Sequence, residues 1–513
     1  MNDTNINKNK VSIDVTTGLS LTLRLMVALF SFLLMVIYAD KSSLWFDDLF
    51  TISVSRNGVP ISLAIERVLK DAHSHPPLFY VFSSLWMKIA PYGTVWLRLP
   101  GIIFFALGIL LCGHNAKKLK GNISAVFATL FAGTSILLMR EAGLAFRQYG
   151  PLFLLVNLLI YAYIKRMDCA GQESLTDVVK YGIVLLLLLY IHYFGVLVVF
   201  AFCLCDLYLF VRKKIGCRVL FSYVVSGVLF LPWAIHAAKV ILGRNAMFWA
   251  PSPTFNVLCK TMLNLCNNSF LIFLSFVCVM FFLFFLGIKK KRFFLSECVA
   301  GYNKYIVSLL TLTPIGILGM VFIYSVIRPV GSFFVRRYFI SVLPMVLIVS
   351  AIGISLGFDI VARHQAVRKY KTLLFMLVFA CFAFSLGYRA TIRIDSAPYV
   401  VNQPYEQAIE WIYQQEEAHF PNSLTIVNGG DKYVDAIDGL EYYLTHDGKR
   451  SKFNIKSNLD FGLEKNPVWE RVYRFDGQYG LSKEAEQNLE QHYIIVDEYL
   501  PYKVKVYKRK EAK

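Results

Sequence analysis

Long apolar runs alternate with short clusters of Lys and Arg over most of the chain. A helix needs roughly 20 apolar residues to cross the hydrocarbon core of a bilayer. The runs that approach this length cover residues 21–39, 97–113, 122–139, 150–164, 178–191, 196–211, 219–236, 269–287, 305–327, 338–358 and 372–388. This pattern predicts a polytopic α-helical membrane protein with about 11 transmembrane helices.

One further apolar run, residues 77–93, is broken by a lysine and a proline. Cytoplasmic segments of membrane proteins are enriched in Lys and Arg. Lys8 and Lys10 therefore place the N-terminus in the cytoplasm, and the three lysines within 117–120 belong there only if residues 77–93 do not cross. We expect residues 77–93 to form an amphipathic or re-entrant piece on the outer surface.

The chain after about residue 390 has a different pattern. Short apolar groups such as 423–430 and 492–500 alternate there with helical stretches such as 405–417. This predicts a small α/β domain that is long enough to bury its own core. The predicted domains are a cytoplasmic N-terminus at 1–20, a transmembrane domain at 21–389 with a first outer loop at 40–96, and a periplasmic α/β domain at 390–513.

Composition supports a membrane protein and argues against two other classes. The chain of 513 residues is 56% hydrophobic, which is too apolar for a soluble enzyme of this size. Its net charge is +19, but residues 390–513 carry −4, so the positive excess lies between the apolar runs. This is the charge distribution of membrane topology and not of a nucleic-acid-binding face. The ten cysteines show no CxxC spacing and are expected to be small apolar fillers.

The predicted topology brings the unusual polar residues to one side of the membrane. They are Asp47, Asp48, His73, His75, Arg98, Glu141, Arg147, Tyr149, His192, Arg336 and Arg337. A carboxylate can take the proton of an attacking hydroxyl, and adjacent carboxylates raise each other's pKa. Arg and His suit a phosphate. The set predicts transfer of a group from a lipid phosphate to a hydroxyl acceptor, without identifying that group as a sugar.

Each of these residues also has a simpler explanation. The acidic pair could be solvated loop charges, the His-Pro-Pro segment could begin a helix, and Arg98 could be an interfacial residue. His192 could be an ordinary interfacial histidine, and the arginine pair could be an outer-side anchor. Their shared side of the membrane favours the functional interpretation.

Several sequence segments occur in a specific order and spacing. They are the acidic pair after the first run, HPPLFY (75–80), RLPG (98–101), AFRQYGPLFLL (145–155), IHYFG (191–195), LPW (231–233) and RRYFISVLPMVLI (336–348). Together they resemble the protein O-mannosyltransferase-like superfamily of bacterial membrane glycosyltransferases, over roughly residues 20–360. The resemblance implies that residues 21–389 form a transmembrane catalytic domain with the GT-C architecture, and that a polyprenyl-phosphate sugar is the donor.

The resemblance also implies roles for individual residues. The catalytic acid falls on Asp47 or Asp48, and Asp47 matches the first acid of the usual Asp-Glu pair. Residues implied or expected to bind substrate are His73, His75, Arg98, Glu141, Arg147, Tyr149, His192, Arg336, Arg337 and Tyr338. The chain departs from the family where Ala145 replaces the Glu of the Glu-x-Arg-x-Tyr motif, although Glu141 lies one helical turn earlier. This departure leaves the metal ligands unknown and a divalent metal an open question.

We therefore expect an inverting hexosyl- or pentosyltransferase that uses a lipid-phosphate sugar. The expected acceptor is a hydroxyl on a cell-surface glycan or lipid of the O-antigen or lipopolysaccharide type. The expected partners are the lipid-linked donor, a glycan, lipid or protein acceptor, and the membrane, but no nucleic acid. The expected location is the bacterial inner membrane, with the active site and the C-terminal domain periplasmic.

Three alternatives remain at this point. They are a protein O-glycosyltransferase, a transporter or flippase of lipid-linked sugars, and a structural or assembly protein. A transporter should place polar residues along a path through the bilayer, whereas here they gather at one face.

Overall fold

The structure is a computed structural model. It describes residues 17–55, 60–70, 75–91, 93–168, 173–242, 250–288, 303–327, 332–361, 370–395, 405–416, 423–427, 454–457, 461–462, 467, 469–475, 483–499 and 504–510. His73, one of the predicted substrate-binding residues, lies outside these ranges.

Helices make up most of the described chain. They are α1 (Thr17–Lys41), α2 (Phe46–Ser55), α3 (Ile61–Lys70), α4 (Leu78–Ile89), α5 (Thr94–Lys120), α6 (Asn122–Gly133), α7 (Ile136–Leu138), a π-helix (Met139–Leu144), α8 (Tyr149–Asp168), α9 (Leu175–Ile191), α10 (Tyr193–Val211), α11 (Cys217–Leu242), α12 (Phe255–Leu265), α13 (Phe270–Ile288), α14 (Asn303–Ile327), a 3-10 helix (Arg336–Ser341), α15 (Leu343–Val361), α16 (Lys371–Asp395), α17 (Tyr405–Glu416) and α18 (Lys483–His492). The strands are β1 (Ser423–Val427), β2 (Asn454–Ser457), β3 (Arg471–Phe475), β4 (Tyr493–Tyr499) and β5 (Val504–Arg509).

The predicted membrane architecture is confirmed. Within the described residues, 8 helices are long and apolar enough to cross a membrane, or up to 10 if each of two bent helix pairs counts as one span. The bent pairs correspond to the predicted spans 122–139 and 269–287. The predicted span 178–191 corresponds to α9, whose 17 residues are shorter than the helices counted. The chain is a polytopic α-helical membrane protein with a small C-terminal sheet domain.

The apolar run that was predicted not to cross forms the short helix α4. It has 12 residues, and a helix rises about 1.5 Å per residue, so α4 spans little more than half of a hydrocarbon core of about 30 Å. Its length therefore agrees with an amphipathic or re-entrant piece, while its side of the membrane stays a prediction.

Large apolar side chains lie exposed along the predicted spans. On α1 they include Leu25, Met26, Leu29 and Phe30, and α11 presents a similar exposed apolar surface. A continuous apolar surface of this size would be costly in water but is the natural surface of a helix in lipid. The exposed surface therefore supports the membrane assignment independently of helix length.

The interior of the helical part centres on α6 and α15. The side chains of α6 are buried along its whole length, and most of α15 is buried as well. Gly353 on α15 lets this helix approach the backbone of α13, because a Cβ at that position would lie 2.5 Å from the Ser275 carbonyl oxygen. Small residues at such contacts are typical of helix packing in membranes.

The chain divides into two compact units. The larger unit contains Met1–Leu34, Ile102–Gly143 and Tyr149–Ile394, and therefore most of the membrane-spanning helices. The smaller unit contains Met35–Gly101, Leu144–Gln148 and Asp395–Lys513. The domain boundaries predicted from the sequence, at 20/21 and 389/390, stay predictions.

The C-terminal region forms a mixed five-stranded sheet with the order β2-β1-β3-β5-β4. β1 pairs in parallel with β2 and β3, whereas β5 pairs antiparallel with β3 and β4. Leu424, Val472 and Tyr507 from the sheet pack with Ala485 and Leu489 from α18. The region has an apolar core of its own, as its short apolar groups predicted.

Candidate active site

Asp47 and Asp48 lie in the first turn of α2. Carboxylates are favoured there because the first backbone N–H groups of a helix carry partial positive charge. The two side chains nevertheless have different environments. Asp48 is fully buried, whereas Asp47 is half-buried. Of the two acidic side chains, only that of Asp47 is partly exposed.

The Asp48 carboxylate is surrounded by protein donors. Its Oδ1 accepts a hydrogen bond of 2.8 Å from the Phe146 backbone N–H. Its Oδ2 accepts one of 3.4 Å from the Trp45 backbone N–H and lies 3.6 Å from Nη2 of Arg98. Asp48 thus joins the start of α2 to the segment Leu144–Gln148, which lies about 100 residues further along the chain.

Burial raises the pKa of Asp48 to about 6. The Arg98 guanidinium, the Phe146 and Trp45 N–H groups and Arg147 oppose this rise, because each stabilises the charged carboxylate. The sequence suggested that the two adjacent carboxylates would raise each other's pKa. Loss of solvation is the dominant cause instead.

Arg98 is also buried and holds the end of α1. Its Nη1 donates to the Ala39 carbonyl oxygen at 2.8 Å, to the Ser42 carbonyl oxygen at 2.6 Å and to the Ser42 hydroxyl at 2.7 Å. Its Nη2 donates to the Ser43 carbonyl oxygen at 2.8 Å. These acceptors belong to the C-terminal end of α1, where helix carbonyls lack intrahelical partners. Arg98 therefore fixes the connection that carries the acidic pair.

Arg147 also contacts α2. Its Nη1 donates to the Asp47 carbonyl oxygen and to the Thr51 hydroxyl, each at 3.1 Å. The same nitrogen lies 3.5 Å from the Tyr80 hydroxyl. The ring of Tyr80 lies 6.3 Å, centroid to centroid, from the ring of His75. The smaller unit thus brings together the acidic pair and the predicted residues His75, Arg98 and Arg147.

The larger unit contains a second group of predicted residues. The His192 ring lies 5.6 Å from the Tyr149 ring and 5.4 Å from the Tyr338 ring, measured between centroids. His192 caps the N-terminus of α10, where its Nδ1 accepts a hydrogen bond of 3.1 Å from the Phe194 backbone N–H. Accepting through Nδ1 leaves the Nε2 proton on a neutral ring.

The remaining predicted residues lie at the start of the 3-10 helix and in the π-helix of the larger unit. Arg336 is exposed and Arg337 is half-buried, directly before the buried Tyr338. Glu141 is buried in the π-helix. Such helix irregularities are frequent at functional sites. Within the described residues, no three His, Cys, Asp or Glu side chains lie close enough to share a metal ion.

Several residues of the site were not found from the sequence. Thr51 and Tyr80 contact Arg147, and Ser42 and Ser43 contact Arg98. Tyr80 lies inside the HPPLFY segment, which was a usable signal. The two serines carried none, because their contacts to Arg98 join residues 55 and 56 positions apart.

Comparison with known proteins identifies the fold. No protein-family model matches the chain, and the comparison with curated proteins gives no match. The structure is similar to ArnT from Cupriavidus metallidurans in the apo state, with a TM-score of 0.58 and 13% identity over 95% of this chain and 97% of ArnT. It is similar to the same protein bound to undecaprenyl phosphate, with a TM-score of 0.57 and 12% identity over 96% and 98% of the two chains.

A more distant similarity exists to the Archaeoglobus fulgidus oligosaccharyltransferase in the apo form. The TM-score is 0.51 and the identity 11%, over 89% of this chain and 70% of that chain. At identities this low, the structural similarity establishes the fold and nothing further. The chain therefore has the GT-C-like fold that the sequence motifs implied, shared over nearly its whole length with ArnT.

Proposed function

We propose that this protein is a membrane glycosyltransferase that moves a sugar from a polyprenyl phosphate to a hydroxyl acceptor. The observation that carries the proposal is the contrast within the acidic pair. Asp47 is half-buried and partly exposed, while Asp48, Arg98 and Arg147 are buried and hold the backbone around it. The fold adds support, because ArnT has been crystallised with undecaprenyl phosphate.

Asp47 acts as the general base in the proposed reaction. It takes the proton of the acceptor hydroxyl as the hydroxyl oxygen attacks the anomeric carbon. The bond from that carbon to the phosphate oxygen breaks, and its electron pair stays on the lipid phosphate. Attack opposite the leaving phosphate inverts the anomeric centre. The resulting anion needs cationic and hydrogen-bonding groups, a role that we assign from the sequence analysis alone to His75, His192, Arg336, Arg337 and Tyr338.

Asp48, Arg98 and Arg147 act as positioning residues in this proposal. Their hydrogen bonds described above are with protein groups, and these bonds hold the backbone before, within and beside the turn that carries Asp47. A base must be held within hydrogen-bond reach of its proton, so a loose α2 would lower kcat before it affected binding.

The finer assignments rest on the sequence motifs. We propose a chain of the O-mannosyltransferase-like type that acts in a bacterial inner membrane with a periplasmic active site. A cell-surface glycan or lipid of the lipopolysaccharide type is the proposed acceptor, and a protein hydroxyl is the second choice. Assays with and without EDTA test whether a divalent metal takes part.

Sugar transfer in isolated membranes tests the proposal. The membranes receive radiolabelled undecaprenyl-phosphate glucose, mannose or ribose, and label is followed into lipopolysaccharide and protein. We expect Asp47→Asn at equal expression to lower transfer by roughly 10²- to 10⁴-fold, the range for loss of a general base. Unchanged transfer in Asp47→Asn would overturn the assignment of the base. Absence of transfer from every donor, with translocation of the lipid-linked sugar instead, would favour a flippase.

A further inference from the structure

Gln148 is a buried amide that no contact within the described structure satisfies. Its side chain is 1% exposed, and neither Oε1 nor Nε2 has a hydrogen-bond partner. Leaving an amide buried without a partner carries a free-energy cost, because its desolvation is not compensated by a hydrogen bond. A group with this cost is expected where a ligand supplies the missing partners.

The place of Gln148 in the chain connects it to the acidic pair. It follows Arg147, whose Nη1 donates to the Asp47 carbonyl oxygen, and it lies two residues after Phe146, whose N–H donates to Asp48. These residues form an irregular buried connection between the π-helix and α8. In a membrane protein, irregular backbone is tolerated where it is enclosed by protein or lines a cavity.

The chemistry of the amide selects the class of ligand. Oε1 only accepts hydrogen bonds and Nε2 only donates them. A phosphate at neutral pH mainly accepts, so it would satisfy the nitrogen and leave the oxygen unpaired. A sugar hydroxyl both donates and accepts, and two neighbouring hydroxyls can satisfy both atoms.

We propose that Gln148 binds hydroxyl groups of the donor sugar and thereby contributes to the choice of sugar. This role rests on the glycosyltransferase function proposed above. The amide is enclosed by protein, so donor binding includes a local rearrangement that opens it.

The test compares Gln148→Met with the wild type in detergent. Methionine keeps a similar volume and removes the amide. Binding is measured from the rise in Tm with added undecaprenyl phosphate, and separately with undecaprenyl-phosphate glucose, mannose and ribose. Asn157→Leu is the control, because the Nδ2 of this buried amide donates to the Phe153 carbonyl oxygen at 3.0 Å and only its Oδ1 lacks a partner within the described structure, whereas both polar atoms of Gln148 lack one.

We expect Gln148→Met to keep or raise Tm without ligand, and to bind the sugar-bearing donor about tenfold more weakly, the effect of losing one to two hydrogen bonds. Its affinity for undecaprenyl phosphate should not change. Asn157→Leu should lower Tm and leave both affinities unchanged.

Three results would contradict the proposal. Equal donor affinity in Gln148→Met and wild type would mean that the amide touches no ligand. An equal loss for undecaprenyl phosphate and the sugar-bearing donor would show that it does not read the sugar. A Gln148→Met protein that fails to fold would mean that its amide is structural. If the wild type itself binds neither lipid, the proposed function fails, independently of Gln148.

Discussion

At the scale of single residues, the acidic pair shows how neighbours in sequence acquire different tasks. Asp47 and Asp48 occupy the same turn of α2 but differ in solvent contact and in hydrogen-bond partners. The Asp47 side chain is partly exposed, while the Asp48 carboxylate contacts Phe146, Trp45 and Arg98. In the proposed reaction, the different burial of the two side chains, and not their identity, is the reason that Asp47 is assigned as the base and Asp48 as a positioning residue.

The raised pKa of Asp48 predicts a pH-dependent stability. Its pKa is about 6 in the folded protein against an ordinary 3.8. The folded state therefore binds the proton more tightly, and the stabilisation from Asp48 is present below about pH 4 and is lost as pH rises through 6. The loss amounts to about 3 kcal/mol at most. We expect Tm measured from pH 4 to 7 to fall less steeply in Asp48→Asn than in the wild type.

The control for this profile is Asp47→Asn, which removes the neighbouring carboxylate from the half-buried side of the same turn. It should keep the pH dependence of the wild type. Parallel profiles for the wild type and Asp48→Asn would show that Asp48 does not titrate in this range.

At the scale of elements, buried polar side chains join helices that are distant in sequence. Arg98 at the start of α5 binds the end of α1, and Asp48 in α2 binds Phe146. In the larger unit, Arg166 of α8 forms a fully buried ion pair with Asp206 of α10 at 2.6 Å. These contacts satisfy groups that would be expensive to bury alone.

The close approach of α13 and α15 predicts different effects for two glycines of one helix. A Cβ at Gly353 would lie 2.5 Å from the Ser275 carbonyl oxygen, whereas a Cβ at Gly357 would meet no atom within 4 Å. We expect Gly353→Ala to cost roughly 1–3 kcal/mol because backbone must move. Gly357→Ala should be neutral or stabilise by up to about 1 kcal/mol, since alanine favours a helix.

Thermal unfolding in detergent compares the two variants directly. Equal Tm values for Gly353→Ala and Gly357→Ala would contradict the close helix contact. The comparison is internally matched, because both substitutions add one methyl group to α15.

At the scale of the whole molecule, the alternation of Lys and Arg clusters predicts which side of the membrane each segment faces. In a variant without the native cysteines, we expect a cysteine at Gln491 in the sheet region to react with a membrane-impermeant thiol reagent in intact cells. A cysteine at Lys118 should react only after the cells are opened. Both positions are exposed in the structure, so a difference in labelling reports the side of the membrane. Labelling of Lys118→Cys in intact cells would contradict the predicted topology.

The sequence by itself determined the class of fold. Helices need only local hydrogen bonds, and a bilayer demands long apolar runs, so the spans could be read from hydropathy and charge. The lysines at 117–120 predicted that the run at 77–93 does not cross the membrane, and the 12 residues of α4 agree with that prediction. The motifs around Asp47, Arg98 and Arg147 marked residues that the structure places together in the smaller unit.

Only the tertiary structure decided how these residues are used. Burial, hydrogen-bond partners and pKa depend on contacts between residues far apart in sequence, such as Asp48 with Phe146 or Arg98 with Ser43. No local pattern encodes these contacts, because hydropathy and spacing describe one segment at a time. The sequence therefore supplied the candidate residues, and the packing of distant segments separated the partly exposed Asp47 from Asp48 and Gln148 in the interior.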